Sequence, residues 1–194
     1  MRIAVSQRDI ILPPNNFLHY GVERDWYRYL DQHKLFLIPN IPMTTPYYED
    51  YECLLLTGGP DSYERNMTEN LLFVHAVKKG VPIIGICHGA FVVNELSGGI
   101  NDYVEDHHDT THTVLMEGKQ HLVNSYHKQS IKTLGNNSIP LATDKAGRIE
   151  AFRHRDYPIF GIVWHPERMA EPVLPKEVQA ILFPNRLLLL INPV

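Results

Sequence analysis

Short, continuous runs of hydrophobic residues alternate with amphipathic stretches through the first half of the chain. Each run ends at a glycine, a proline or a polar residue, which is typical of strands buried on both faces. The runs cover residues 3–5, 35–38, 53–57 and 82–87. Their alternation with helical stretches predicts an α/β fold with a mainly parallel central sheet flanked by helices.

The stretches between and after these runs carry hydrophobic residues at helical spacing. They predict helices over residues 23–33, 66–79, 89–96 and 176–183. In the second of these helices, Leu71, Val74 and Val77 are expected to face the core, and Gly80 is expected to end it. An apolar run at 187–191 has no assigned role.

The pattern changes in the second half, where short runs alternate between hydrophobic and polar positions from residue 112 to 164. Turn signals at 117–119 and 145–147 separate them, and two prolines and two asparagines at 13–16 predict an early loop. This half therefore predicts antiparallel strands and hairpins added to the parallel sheet. A length of 194 residues fits a single domain over residues 1–194.

Composition excludes several classes of protein. Hydrophobic residues make up 44% and charged residues 21%, so disorder of the whole chain is not expected. The net charge of −4, with no lysine or arginine run, argues against nucleic-acid binding. No apolar stretch approaches the roughly 18 residues of a membrane span, and charges come too early for a signal peptide. Two cysteines make no disulfide framework, so we expect a cytoplasmic protein.

The most informative segment is Gly85-Ile86-Cys87-His88-Gly89, where a predicted strand runs directly into a predicted helix. A tight turn at this junction needs glycine-sized neighbours and lifts the cysteine above the carboxyl edge of the sheet. The dipole of the following helix favours a thiolate there, and the amide of His88 is placed to bind an oxyanion. A buried structural cysteine is the commoner fate of a lone cysteine, but it would not need both glycines.

A nucleophilic cysteine needs a base and a group that orients the base. A late predicted strand ends at His165-Pro166-Glu167, where the proline stiffens the bend so that Glu167 can accept a hydrogen bond from His165. Alone, this tripeptide is more often a surface turn. Together with the cysteine turn, it favours a catalytic triad of Cys87, His165 and Glu167.

Another predicted strand ends at Gly58-Gly59-Pro60, which is weak evidence by itself because it also suits a plain turn. Glycines allow backbone amides to approach a ligand closely, so the amide of Gly59 is the candidate second oxyanion donor beside that of His88.

These elements, in this order, resemble the class I glutamine amidotransferases, and most of all their gamma-glutamyl hydrolase branch. Two further segments support the resemblance: residues 124–127, similar to the Asn-Ser-x-His of that branch, and residues 148–152, similar to its Ile-Glu-Ala strand. The resemblance implies a flavodoxin-like fold and an acyl transfer in which Cys87 attacks a γ-glutamyl amide. A glutamyl thioester then releases an amine and, after hydrolysis, glutamate, without metal or organic cofactor.

Candidate substrate contacts are Gly58, Phe91, Ser125, Tyr126 and His127. Ser125 and His127 lie two apart on a predicted strand, so they would face one side; a satisfied polar pair without substrate contact is the equal alternative. The chain departs from the family at Phe91, where many relatives have Gln or Glu, and at Val163, where many have Gln. Both departures change residues expected to bind the glutamyl group, and neither changes a residue of the predicted triad.

The segments 5–8 and 23–26 resemble a subgroup that acts on γ-glutamyl conjugates in surface-polysaccharide synthesis, including nucleotide-linked ones, for which Arg8 and Arg24 would meet a phosphate. The alternatives are a glutaminase subunit that passes ammonia to a synthetase acting in trans, and a non-catalytic binding or redox protein. A metal site is one interpretation of the cluster His107, His108, Asp109 and His112, but the spacing of these residues matches no standard metal site. A polar loop is expected there.

Overall fold

The computed structural model describes residues 1–43, 50–105 and 107–184, so the apolar run at 187–191 lies outside the described residues. In chain order the elements are β1 (Arg2–Ser6), β2 (Arg8–Leu12), β3 (Phe17–Gly21), α1 (Arg24–Tyr29), β4 (Lys34–Ile38), β5 (Cys53–Leu56), α2 (Tyr63–Lys79), β6 (Ile83–Ile86), α3 (His88–Leu96), β7 (Ile100–Tyr103), β8 (His108–Met116), β9 (Lys119–Tyr126), β10 (Gln129–Thr133), β11 (Ser138–Asp144), β12 (Ile149–His154), β13 (Ile159–Ile162) and α4 (Lys176–Leu182). None of the helices in the described ranges is long and apolar enough to cross a membrane.

The central sheet confirms the predicted fold class. Strands β4, β1, β5, β6 and β13 lie side by side in that order and pair in parallel. Beyond β13 the sheet continues through β12, β11, β8 and β9, and each of these pairs is antiparallel. The late strand β13 therefore returns to the centre of the sheet beside β6, which brings the end of the second half next to the cysteine turn.

Two hydrophobic cores lie on opposite faces of the parallel strands, because successive side chains of a strand point to opposite faces. Ile3 and Val5 of β1 pack into the core that contains Trp26 and Val178, from α1 and α4. Ala4 packs into the other core, with residues of α2 and α3. The helices flank both faces, as the hydrophobic runs predicted.

The sequence pattern was wrong about two of the three residues expected on the inward face of α2, whereas Val77 packs against the core as predicted. Leu71 and Val74 are 42% and 43% exposed, whereas Leu72, Phe73 and Ala76 are buried. The helix also begins earlier than predicted, at Tyr63, after an N-cap at Ser62. Its buried face includes a fully buried ion pair, Arg65 and Glu69, and the spacing of apolar positions cannot reveal such a face.

The predicted loop at 13–16 is the turn of a hairpin, β2–β3, whose strands the pattern did not predict. Ile11, Leu12, Phe17 and Leu18 of this hairpin are all at least half exposed. Helix α1 is also shorter than the predicted 23–33.

Candidate active site

Cys87 lies at the junction of β6 and α3 with a strained backbone, φ 51° and ψ −107°. A positive φ is costly for a residue with a side chain and is maintained only where surrounding structure enforces it. A Cβ on Gly85 would clash with the backbone of Gly89, and a Cβ on Gly89 would clash with the backbone of Leu56. The two glycines are therefore required by close packing of the turn, and the turn holds Cys87 at the carboxyl edge of the sheet.

His165 follows β13, and the register of β13 with β6 pairs Ile162 with Ile86. The two strands therefore end at the same edge, which places His165 close to Cys87. Gly58, from the loop after β5, lies beside both residues: a Cβ on this glycine would be 3.2 Å from His165 Nε2 and 3.4 Å from Cys87 Cβ. The structure thus brings together the predicted nucleophile, the predicted base and the predicted glycine loop.

Glu167 lies against the other side of the imidazole. His165 Nδ1 is 2.6 Å from Glu167 Oε1, and both side chains are almost completely buried. The carboxylate accepts from Nδ1–H, so Nε2 is the ring nitrogen that faces the sulfur. Burial alone would lower the pKa of His165, but the interactions with Cys87 and Glu167 outweigh it and raise this pKa to about 9.

Asn124 of β9 fixes the backbone of His165. Its Oδ1 accepts from His165 N at 2.8 Å, and its Nδ2 donates to His165 O at 2.9 Å. The sequence offered a signal for this role in the familial Asn-Ser-x-His segment, but only Ser125 and the two residues after it were expected to act there. The antiparallel half of the sheet therefore holds the base in place.

A buried cluster on α2 supports the two loops that carry the predicted oxyanion donors. Arg65 donates to Thr57 O at 2.6 Å and to Pro60 O at 2.9 Å, so it spans the turn that contains Gly59, whose φ is 128°. Glu69 lies 3.0 Å from the Nε2 of His88. One ion pair thus joins the loop of Gly59 to the start of α3.

A serine completes this cluster. Ser6 donates to Glu69 Oε1 at 2.8 Å and accepts from Thr57 N at 3.0 Å. Burial alone would raise the pKa of Glu69, but Arg65 and His88 hold it below its ordinary value. Sequence reasoning missed the cluster because an i, i+4 Arg–Glu pair on a helix is usually a solvated surface feature.

A cleft of about 150 Å³ opens beside Cys87. It is lined by Gly59, Pro60, Asp61, Cys87, His88, Phe91, Tyr126, His127, Lys128 and Gln129. Of the five predicted substrate contacts, Phe91, Tyr126 and His127 line this cleft, whereas Gly58 is not among its lining residues. Ser125 does not line it: its side chain is fully buried and donates to the carbonyl of His107.

The prediction of a polar loop around His107 was wrong. His107 is buried, strand β8 begins at His108, and the ring of His112 stacks on that of His107 with centroids 4.6 Å apart. His127 and Glu150, distant in sequence, complete a buried group. Burial lowers the pKa of His127 to about 4, although Glu150 opposes the shift.

Two arginines share one carboxylate near the cleft. Arg8 is 2.5 Å from Glu23, and Arg168 also pairs with Glu23. Arg168 lies over the ring of Tyr126, 4.6 Å from its centroid, and a Cβ on Gly59 would lie 2.9 Å from Arg8 Cδ. Arg24 is exposed and takes no part in this contact.

Proteins of known family resemble this chain both in sequence and in fold. The family model of glutamine amidotransferase class-I matches residues 16–182. Gamma-glutamyl-CDP-amidate hydrolase of Campylobacter jejuni is 30% identical over 128 residues, which are 60% of this chain and 62% of that enzyme, slightly less than two thirds of its length. A glutamine-hydrolyzing GMP synthase subunit of Methanothermobacter thermautotrophicus is 34% identical over 142 residues, 66% of this chain and 73% of that protein.

Among solved structures, a GMP synthase subunit of Thermoplasma acidophilum has a TM-score of 0.72 at 18% identity, covering 97% of this chain and 96% of that one. A glutamine amidotransferase of Thermotoga maritima has a TM-score of 0.64 at 15% identity, covering 98% and 84%. At these identities the two structures show the fold alone. The family model, which matches most of the chain, shows more: the chain belongs to the class I glutamine amidotransferases.

Proposed function

We propose that this protein hydrolyses a γ-glutamyl amide through a glutamyl thioester on Cys87. The observation that carries the proposal is the position of the His165 imidazole beside Cys87 on its strained turn, with the far side of the ring held by Glu167 at 2.6 Å. A nucleophile, a base and a group that orients the base are the three parts that such an acyl transfer requires.

The reaction follows from the positions of these groups. His165 holds at Nε2 the proton that the Cys87 thiol has given up, so the sulfur attacks the δ-carbonyl as a thiolate, and His165 then gives this proton to the leaving amine. The backbone amides of Gly59 and His88 stabilise the tetrahedral oxyanion. Water, with its proton taken by His165, then attacks the thioester and releases glutamate.

The space beside the cleft bears on the nature of the leaving amine. A groove of about 300 Å³ adjoins the cleft and shares Asp61, His88, Phe91 and Gln129 with it, so it offers space for a larger group. The Campylobacter relative is a gamma-glutamyl-CDP-amidate hydrolase. A nucleotide-linked γ-glutamyl conjugate, of the kind found among surface-polysaccharide precursors, is therefore our leading substrate class.

A second candidate is a glutaminase subunit that delivers ammonia to a separate synthetase. The similarity to a glutamine-hydrolyzing GMP synthase subunit supports it. This candidate predicts negligible glutamate release from glutamine until a synthetase partner is added, whereas the free-standing hydrolase acts alone on the conjugate.

The test measures glutamate release by the purified chain from glutamine and from a panel of γ-glutamyl conjugates that includes nucleoside diphosphate amidates. Cys87→Ala and His165→Ala are expected to lose at least about a thousandfold in kcat/KM. Intact-mass spectrometry of the wild type with a slow substrate is expected to show one glutamyl adduct.

Cys53→Ala is the matched control. Cys53 is fully buried in β5, and burial raises the pKa of its thiol to about 12, so it cannot serve as the nucleophile. Loss of activity in both cysteine variants alike would point to a folding defect. Glutamate release that persists in Cys87→Ala would remove the proposed mechanism.

A further inference from the structure

The buried histidine group behind the cleft has the composition and geometry of a metal site. We propose that His107, His127 and Glu150 bind one Zn²⁺ ion, with His112 beside them. One ligand atom from each of the three residues can be chosen so that all lie within 4.8 Å of one another, and all three residues are at least 95% buried. Two imidazoles and a carboxylate are a ligand set that zinc uses in proteins.

The distances fit a contraction onto a metal. His107 Nδ1 lies 3.5 Å from Glu150 Oε1, and His127 Nε2 lies 3.9 Å from Glu150 Oε2. Ligands of a tetrahedral zinc lie about 3.3 Å apart, so the three ligand atoms, which lie within 4.8 Å of one another, would move closer together around the metal. The three ligands come from the start of β8, the end of β9 and β12, and a metal would therefore tie the antiparallel extension together.

The hydrogen bonds around His127 indicate a cation. Its Nδ1 is 2.6 Å from the carbonyl of Gln129, so Nδ1 carries the proton that donates to this carbonyl, and Nε2 offers a lone pair toward Glu150. His127 Nε2 and Glu150 Oε2 are buried, and neither makes a hydrogen bond to any of the described residues. Two lone pairs that face each other in a buried site are satisfied by a shared cation.

Both histidines also have the outer partners that metal-bound imidazoles use. The Nδ1 of His127 is held by a backbone carbonyl, and the Nε2 of His107 faces Asp144 Oδ2 at 3.6 Å. Such groups orient a ligating ring and fix its tautomer.

A route from solvent and a fourth ligand are both present. A groove of about 390 Å³ is lined by His107, His112 and Asp144, among other residues. His112 Nε2 lies 3.3 Å from Glu150 Oε2, which places it to complete the coordination.

The experiment titrates Zn²⁺ and Co²⁺ into tag-free full-length chain carrying Cys87→Ala, so that the catalytic thiol cannot bind the metal. We expect one equivalent bound at micromolar affinity or tighter, a Co²⁺ visible spectrum of tetrahedral type, and a Tm raised by several degrees. His127→Ala and Glu150→Gln in that background are expected to weaken binding at least tenfold. His108→Ala, an exposed neighbour of His107, is the matched control and is expected to bind as the parent does.

Circular dichroism of the metal-free variants establishes that they fold. If one does not, imidazole ¹⁵N NMR of the parent replaces it: Zn²⁺ is expected to shift His107 and His127 and to leave the partly exposed His154 unchanged. No Zn²⁺ binding up to about 0.1 mM, binding of Mg²⁺ alone, or undiminished binding in both His127→Ala and Glu150→Gln would overturn the proposal. Because the readouts are metal binding and stability, the result is independent of glutamyl hydrolysis.

Discussion

Two buried groups of titratable side chains reach the cleft around Cys87, and they differ in how their polar atoms are satisfied. In the α2 cluster, Glu69 accepts from Arg65 and Ser6 at one oxygen and contacts His88 at the other. In the histidine group, one oxygen of Glu150 makes no hydrogen bond to any described residue. A buried charge is tolerable when its partners are complete, so the α2 cluster acts as a permanent support. In the histidine group, the proposed metal ion would supply the missing partner.

The largest expected effect comes from breaking the complete cluster. Arg65→Met leaves Glu69 buried without its counter-charge and is expected to lower the free energy of unfolding by about 3–5 kcal/mol, measured by urea denaturation. It also frees the carbonyls of Thr57 and Pro60, so kcat is expected to fall in whatever fraction remains folded. Arg28→Met is the control, because its partner Asp25 lies on the surface and its own side chain is 72% exposed. Similar losses in the two variants would contradict this account.

Neutralising a carboxylate in each group sharpens the comparison. In chelator-treated protein, Glu69→Gln is expected to lower the free energy of unfolding by about 3 kcal/mol. Glu150→Gln is expected to change it by less than about 1 kcal/mol, because this substitution removes a buried charge that is incompletely satisfied. Added Zn²⁺ is expected to stabilise the wild type and not Glu150→Gln. Equal losses without metal would mean that Glu150 is as well satisfied as Glu69.

The imidazole of His165 has a carboxylate partner of its own, Glu167. Because the pKa of His165 is raised to about 9, its protonated form stabilises the fold below pH 6.5, and this contribution is lost as the pH rises through about 9. Glu167→Gln is expected to move the alkaline limb of kcat/KM, at which His165 loses its proton, to lower pH by about one unit. An unchanged limb would assign the raised pKa to Cys87 alone.

The smallest effect is expected at the N-cap of α2. Ser62 accepts a hydrogen bond from the backbone N–H of Arg65 at 3.2 Å. Ser62→Ala is therefore expected to lower the free energy of unfolding by about 1 kcal/mol, measured by urea denaturation. The pH profile of activity is expected to stay unchanged, because the buried ion pair remains intact. A shifted profile would show that the helix end and the ion pair act as one unit.

The sequence predicted a feature correctly where the residues that define it lie in one short segment of the chain. The sequence predicted the cysteine turn from its two glycines. Backbone atoms lie so close to Gly85 and Gly89 that no residue with a Cβ fits at either position. It predicted the parallel strands because strands buried on both faces must be hydrophobic throughout. It erred on the inward face of α2, where burial of Arg65 and Glu69 depends on loops that the helix itself cannot specify.

The amino-acid sequence by itself indicated the strands and helices of the parallel sheet, the sharp turn at Cys87 and the stiff His165-Pro166-Glu167 bend, because each leaves a pattern within a few consecutive residues. Only the tertiary structure decided that Asn124 holds the base and that His107, His127 and Glu150 converge. These groups lie tens of residues apart, and the pairing of β9, β8 and β12 across the sheet, which no local pattern encodes, sets the distances between them.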